Sequence, residues 1–141
     1  MEKSVILSIK GKQSYMDQEP EMIELVTEGT LTFENDTWNI CYEESDLTGL
    51  AGVTTTFSVI PGRITLTRKG SLNSQMIFEE GTFHESLYEL EFGALMITVC
   101  ASKTEYHLSE NGGTIDLVYA IEIENTSTGI ITYHLDVQVK P

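Results

Sequence analysis

The amino-acid sequence predicts a single all-β domain, an antiparallel meander barrel of about eight to ten strands. Three observations carry that prediction. Apolar and polar residues alternate with period two from end to end, turn-forming residues punctuate the alternation, and the intervals between runs are too short for parallel crossovers.

The alternation is plainest near the C-terminus. Ile115, Leu117, Tyr119, Ile121 and Ile123 are interleaved with Asp116, Val118, Ala120, Glu122 and Glu124, and Ile131, Tyr133, Leu135, Val137 and Val139 with Thr132, His134, Asp136, Gln138 and Lys140. Successive side chains of a strand point to opposite faces, so each run buries one face and wets the other. Applied from the N-terminus, the same pattern predicts strands at Lys3 to Gln13, Met22 to Glu34, Thr37 to Ser45, Leu50 to Ile60 and Arg63 to Lys69. It continues with Asn73 to Glu79, Phe83 to Glu91, Ala94 to Leu108, Thr114 to Glu124 and Ile130 to Val139.

Hairpin turns are expected at Glu34-Asn35-Asp36, Pro61-Gly62, Lys69-Gly70-Ser71, Glu80-Gly81, Asn111-Gly112-Gly113 and the stretch from Asn125 to Gly129, whose residues tolerate tight or left-handed backbone. Helix is confined to short turns such as Asp46 to Gly49. Strands joined in this way form a meander, and closing it into a barrel removes the free edges of a long sheet. A two-sheet sandwich is the alternative.

A length of 141 residues suits one domain, residues 1–141, with one core, and 40% hydrophobic with 21% charged residues is ordinary globular composition. The 22 acids against 8 bases leave a net charge of -14, which repels phosphate and so excludes nucleic acid and anionic membranes as natural partners. Most of the acidic excess reads as a solvated face. Met1 to Val5 lack the basic start and apolar run of a signal peptide, and no apolar stretch reaches membrane-spanning length, so a cytoplasmic location is expected. Cys41 and Cys100, the two cysteines, have no CxxC spacing or neighbouring histidine cluster, and two unpaired, small, buried thiols are expected.

The segments Trp38-Asn39-Ile40-Cys41-Tyr42-Glu43-Glu44-Ser45-Asp46-Leu47, Thr67-Arg68-Lys69-Gly70, Tyr88-Glu89-Leu90-Glu91-Phe92-Gly93 and Gly112-Gly113-Thr114-Ile115 leading to Tyr119 together resemble the YwiB-like family of bacterial proteins. Their order and spacing span nearly the whole chain. The resemblance implies a calycin-like barrel of the lipocalin type and no particular activity, since the family is classed as a domain of unknown function. Glu91 departs from the family, in which a small residue, a hydroxyl or a proline commonly precedes the Phe-Gly pair.

Strand direction and parity together select a candidate site. The third, fifth and seventh strands run the same way, so Glu44, Arg68 and Tyr88, near their ends, reach one rim. Glu44 shares its face with Trp38, Ile40 and Tyr42, Arg68 shares its face with Ile64 and Leu66, and Tyr88 shares its face with Leu90, which turns all three inward. In the functional reading Arg68 receives the anionic group of a small ligand, while Tyr88, Tyr119 and Tyr42 line the cavity. In the structural reading Glu44 and Arg68 neutralise each other and plug the barrel end, so that Arg68→Ala strands a partly buried carboxylate.

Trp38, Phe57, Phe78 and Tyr133 join Tyr42 and Tyr119 as inward aromatics. No cofactor motif is present. His84, His107 and His134 lack zinc-ligand spacing, the acidic pairs lack the Asp-rich loop of a calcium hand, and Ser86 two residues from His84 is no catalytic constellation. The leading expectation is a small-molecule-binding barrel, with a protein-interaction or assembly role second and an enzyme third. The sequence sets no oligomeric state.

Overall fold

Alternation in the sequence becomes alternation in burial. Along the first strand, β1 (Glu2–Ser14), Val5, Leu7 and Ile9 are buried while Ser4 and Lys10 are exposed. In the computed structural model, which describes residues 2–14, 19, 21–45, 51–90, 93–124 and 126–141, the same rule repeats around one ten-stranded antiparallel sheet. The further strands are β2 (Glu21–Glu34), β3 (Thr37–Glu43), β4 (Val53–Ile60), β5 (Arg63–Gly70), β6 (Ser74–Phe78), β7 (Phe83–Leu90), β8 (Gly93–Ser109), β9 (Gly112–Ile123) and β10 (Thr126–Val139). Their neighbour order, β6-β5-β4-β3-β2-β1-β10-β9-β8-β7, is the meander expected, rolled into a nearly closed barrel in place of the sandwich alternative.

Two details depart from expectation. Thr126–Gly129, read as turn, belong to β10, which carries a register shift between Ser127 and Ile130. The pairing of Ile123 with Thr126 leaves a short reversal that includes Glu124, which takes the left-handed φ of 51° that such a hairpin needs. The expected turn at Asp46 to Gly49, the start of the fourth strand at Leu50, and Glu91, Phe92 and Asn125 lie outside the described residues.

The second departure is where the barrel is stitched. β1 and β10 form a continuous ladder from Val5 opposite Val139 to Ser14 opposite Ile130. β6 and β7 are neighbours in sequence but form no ladder among the described residues; the link is made just ahead of β6, by Asn73 N to Glu89 O (2.9 Å) and Glu89 N to Asn73 O (2.7 Å). The chain after β6 reaches past β7 to β8, where Gly81 N donates to Ala101 O at 3.0 Å and the Glu80 carboxylate accepts from Thr104 N at 2.9 Å. β8 has a register shift at this point, between Ala101 and Lys103, which leaves main-chain groups for the link.

The core is the inward face of all ten strands. Leu7, Leu31, Ile40, Phe57, Phe78, Ile97, Ile115 and Leu135 are fully buried, and rings stack across it, Phe57 on Tyr133 (5.5 Å between centroids) and Phe78 on Tyr119 (4.6 Å). Trp38 is partly buried against the core and packs on Phe33 at 4.5 Å. β9 is squeezed between β8 and β10. A Cβ on Gly112 would stand 2.2 Å from Val137 O, and one on Gly113, whose φ is +146°, 1.7 Å from His107 O. The Gly112-Gly113 motif is thus a backbone contact.

Cys41 and Cys100 are free but half-buried, which corrects the expectation of buried thiols: parity with Ile40, Tyr42, Val99 and Ala101 turns both to the outer face. Among the described residues, no helix is long and apolar enough to cross a membrane.

Candidate functional site

All neighbouring strands are antiparallel, so β3, β5 and β7 run the same way and deliver their ends to one rim, where the ends of β1 and the starts of β2 and β10 also lie. A cavity of about 460 Å³ opens there, lined by Tyr42, Glu44, Arg68, Tyr88 and Tyr133 with Ile9, Gly11, Lys12, Gln13, Glu21, Ile23, Leu25 and Ile131. A second cavity of about 300 Å³ lies alongside it, lined by Met76, Leu95, Ile97, Tyr119, Ile121 and Ile123 and sharing Arg68, Tyr88 and Ile131 with the first. Both volumes fall in the roughly 300–1,000 Å³ range of small-molecule pockets. Glu44, Arg68, Tyr88 and Tyr42 therefore meet at one mouth, and Tyr119 stands in the adjoining compartment.

Within the mouth the ion pair is loose. Arg68 Nε lies 4.0 Å from Glu44 Oε1, beyond hydrogen-bond range, with side-chain exposures of 18% and 2%. Glu44 Oε1 instead accepts from the Thr55 hydroxyl at 2.7 Å, and the phenol of Tyr42 hydrogen-bonds to Glu44 and to Tyr133. Arg68 Nε is buried and has no hydrogen-bond partner among the described residues, and neither has the buried hydroxyl of Ser74. Ser74 is the direct cross-strand partner of Arg68.

Burial pushes the Tyr42 phenol up to about 12, a rise that Glu44 reinforces and that the Tyr133 hydrogen bond and the Arg68 charge oppose. Burial likewise raises Tyr119 to about 12, against Arg68, and holds Tyr133 well above 10.0. These phenols ionise near 10 when unfolded, so their contribution to stability is complete below about pH 10 and is lost as pH rises towards 12. In an alkaline absorbance titration, three of the six tyrosines should ionise only as the protein unfolds. All six ionising together near pH 10 in folded protein would contradict the buried network.

Tyr133, Thr55 and Ser74 were not selected as site residues from sequence. A signal existed for each: Thr55 shares parity with Val53 and Phe57, Ser74 with Met76 and Phe78, and Tyr133 with Leu135. A polar residue at an inward position is the mark of a partner or a ligand. Elsewhere, His84 pairs with Glu79 (2.8 Å), which also holds Arg63 (3.0 Å), and on the outer face His134 contacts Asp116 (2.5 Å) and Asp136 (3.3 Å). Among the described residues no group of three His, Cys, Asp or Glu side chains is placed to hold a metal ion.

The crystal structure of the ywiB protein from Bacillus subtilis superposes on the chain with a TM-score of 0.88 at 20% sequence identity, covering 99% of this chain and 94% of that one. At that identity the likeness shows a shared fold. No curated protein matches. The family model of the domain of unknown function DUF1934 matches residues 7–136, nearly the whole barrel with Tyr42, Glu44, Arg68, Tyr88 and Tyr119 inside it, and the chain belongs to that family.

Proposed function

We propose that the barrel mouth binds a small molecule carrying an anionic group, with Arg68 as its receptor and Tyr42, Tyr88 and Tyr119 as cavity wall. One observation carries the reading: Arg68 Nε is buried beside an open cavity without a hydrogen-bond acceptor, while the nearby carboxylate of Glu44 takes its hydrogen bond from Thr55. A buried charged donor left unsatisfied is costly, and an arriving carboxylate or phosphate oxygen removes that cost. A plug would spend the guanidinium on Glu44, whereas at a separation of 4.0 Å Nε makes no hydrogen bond to that carboxylate.

The test is thermal shift with benzoate, octanoate and inorganic phosphate against their neutral analogues. An anion at about 100 times its Kd should add about 2.7 kcal/mol of stability. Arg68→Lys should keep the fold and lose most of that gain, because lysine lacks the planar fork. No shift with any of these anions, or an equal shift in Arg68→Lys, would refute the reading.

A protein contact is the second reading. Leu87 and Met96 are exposed opposite each other on the outer face of β7 and β8, at 48% and 38%, and Phe83, at 69%, lies further along the same face of β7 beyond Glu85.

A further inference from the structure

The two compartments of the mouth differ in chemistry. One has Lys12, Gln13, Glu21 and Glu44 in its wall, and the other is walled by Met76, Leu95, Ile97, Ile121 and Ile123 with the Tyr119 ring. Arg68, Tyr88 and Ile131 form the boundary between them. Ser74 lines neither compartment but stands beside Arg68, with which it shares a neighbouring groove. It is 7% exposed, faces inward with Met76 and Phe78, and stands directly opposite Arg68 on the adjacent strand. Side chains so paired begin about 5 Å apart, close enough for one oxyanion to meet both.

We propose that Ser74 and Arg68 together receive the carboxylate of an apolar monoacid, whose hydrocarbon body fills the compartment walled by Leu95, Ile97, Ile121 and Ile123. The inference rests on the anion-receptor reading of Arg68 and adds the second donor, the ligand class and the direction of the ligand. Charge selects a monoanion. Lys12 and Arg68 balance Glu21 and Glu44 at the mouth, and a chain of net charge -14 disfavours a dianion such as phosphate. Apolarity selects the body, since the compartment beside Arg68 offers aliphatic side chains and the Tyr119 ring. The hydroxyl of Ser74 then donates to one carboxylate oxygen, and Arg68 Nε–H donates to the same oxygen or its neighbour.

The experiment is calorimetric titration with the straight-chain acids from butanoate to dodecanoate, with decanol as the uncharged control. Affinity should rise about fourfold per methylene until the compartment is full. Decanol should bind far more weakly than decanoate. Ser74→Ala should leave the melting temperature of the free protein unchanged, because its hydroxyl has no partner to lose, and weaken decanoate about tenfold or more. Ile97→Trp should fill the compartment and abolish the chain-length dependence while butanoate still binds. Acids that bind with no chain-length dependence, or a Ser74→Ala protein that binds decanoate as wild type does, overturn this inference and leave the Arg68 reading standing. No binding by any of the acids overturns both.

Discussion

Replacing Gly113 with alanine is expected to destabilise the protein by more than about 3 kcal/mol, the range reserved for strained backbone combined with steric overlap. The position has two independent grounds for glycine. Its φ of +146° lies where L side chains rarely sit, and the added methyl would stand 1.7 Å from the His107 carbonyl oxygen, so β9 must withdraw from β8 to make room. Withdrawal breaks the ladder beside His107↔Thr114 and Leu108↔Gly113. Urea unfolding monitored by far-UV dichroism measures the loss. Gly62→Ala is the control: its φ of +81° is also left-handed, but nothing lies within 4 Å, so only the conformational cost of about 1 kcal/mol should appear there. Equal losses at the two positions would mean that the close approach of strands carries no weight.

Glu44→Ala should cost about 3–5 kcal/mol, the penalty for removing one member of a buried charged network. The carboxylate is 2% exposed, accepts from Thr55, itself fully buried, and lies beside Arg68 and Tyr42. Deleting it leaves the Thr55 hydroxyl without its acceptor, takes one of two hydrogen-bond partners from the Tyr42 phenol and removes the carboxylate beside the Arg68 charge. Glu44→Gln should cost less, because the amide oxygen can still accept from Thr55. A melting temperature lower by roughly 10 °C or more in the alanine variant, and a smaller drop in the glutamine variant, is the expected pattern. A neutral alanine variant would mean that Thr55 and Arg68 find other partners.

The mouth was legible because two weak regularities multiply. Period two told that Glu44, Arg68 and Tyr88 point inward, and alternation of strand direction told that they share a rim. Neither needs a distance. Distances were the part out of reach, and one of them redirects the chemistry: Thr55, not Arg68, hydrogen-bonds Glu44 Oε1. Thr55 shares parity with Val53 and Phe57, a signal the reading of the mouth did not use, and nothing in sequence says which of two inward donors a carboxylate will choose. The seam between β6 and β7 was hidden for a different reason. Glu80-Gly81 has hairpin chemistry, which predicts that the chain reverses and says nothing of whether the flanking strands zip together. Here the reversal is captured by the irregularity in β8, and the hairpin stays largely unladdered.

The ladder between β1 and β10 bears on how the chain reaches this state. It sets Val5 opposite Val139, residues nearly a full chain apart, while the other ladders join strands adjacent in sequence. Loop-closure entropy falls hardest on that one pairing, so two local meanders, β1–β6 and β7–β10, should assemble first and dock last, in the millisecond-to-second range of high-contact-order β proteins. In the interval before docking, β1 and β10 each expose a long edge that another nascent chain can add to. The acidic excess that leaves the folded barrel at -14 then acts on the unfinished one, where mutual repulsion between chains keeps the two open edges waiting for each other.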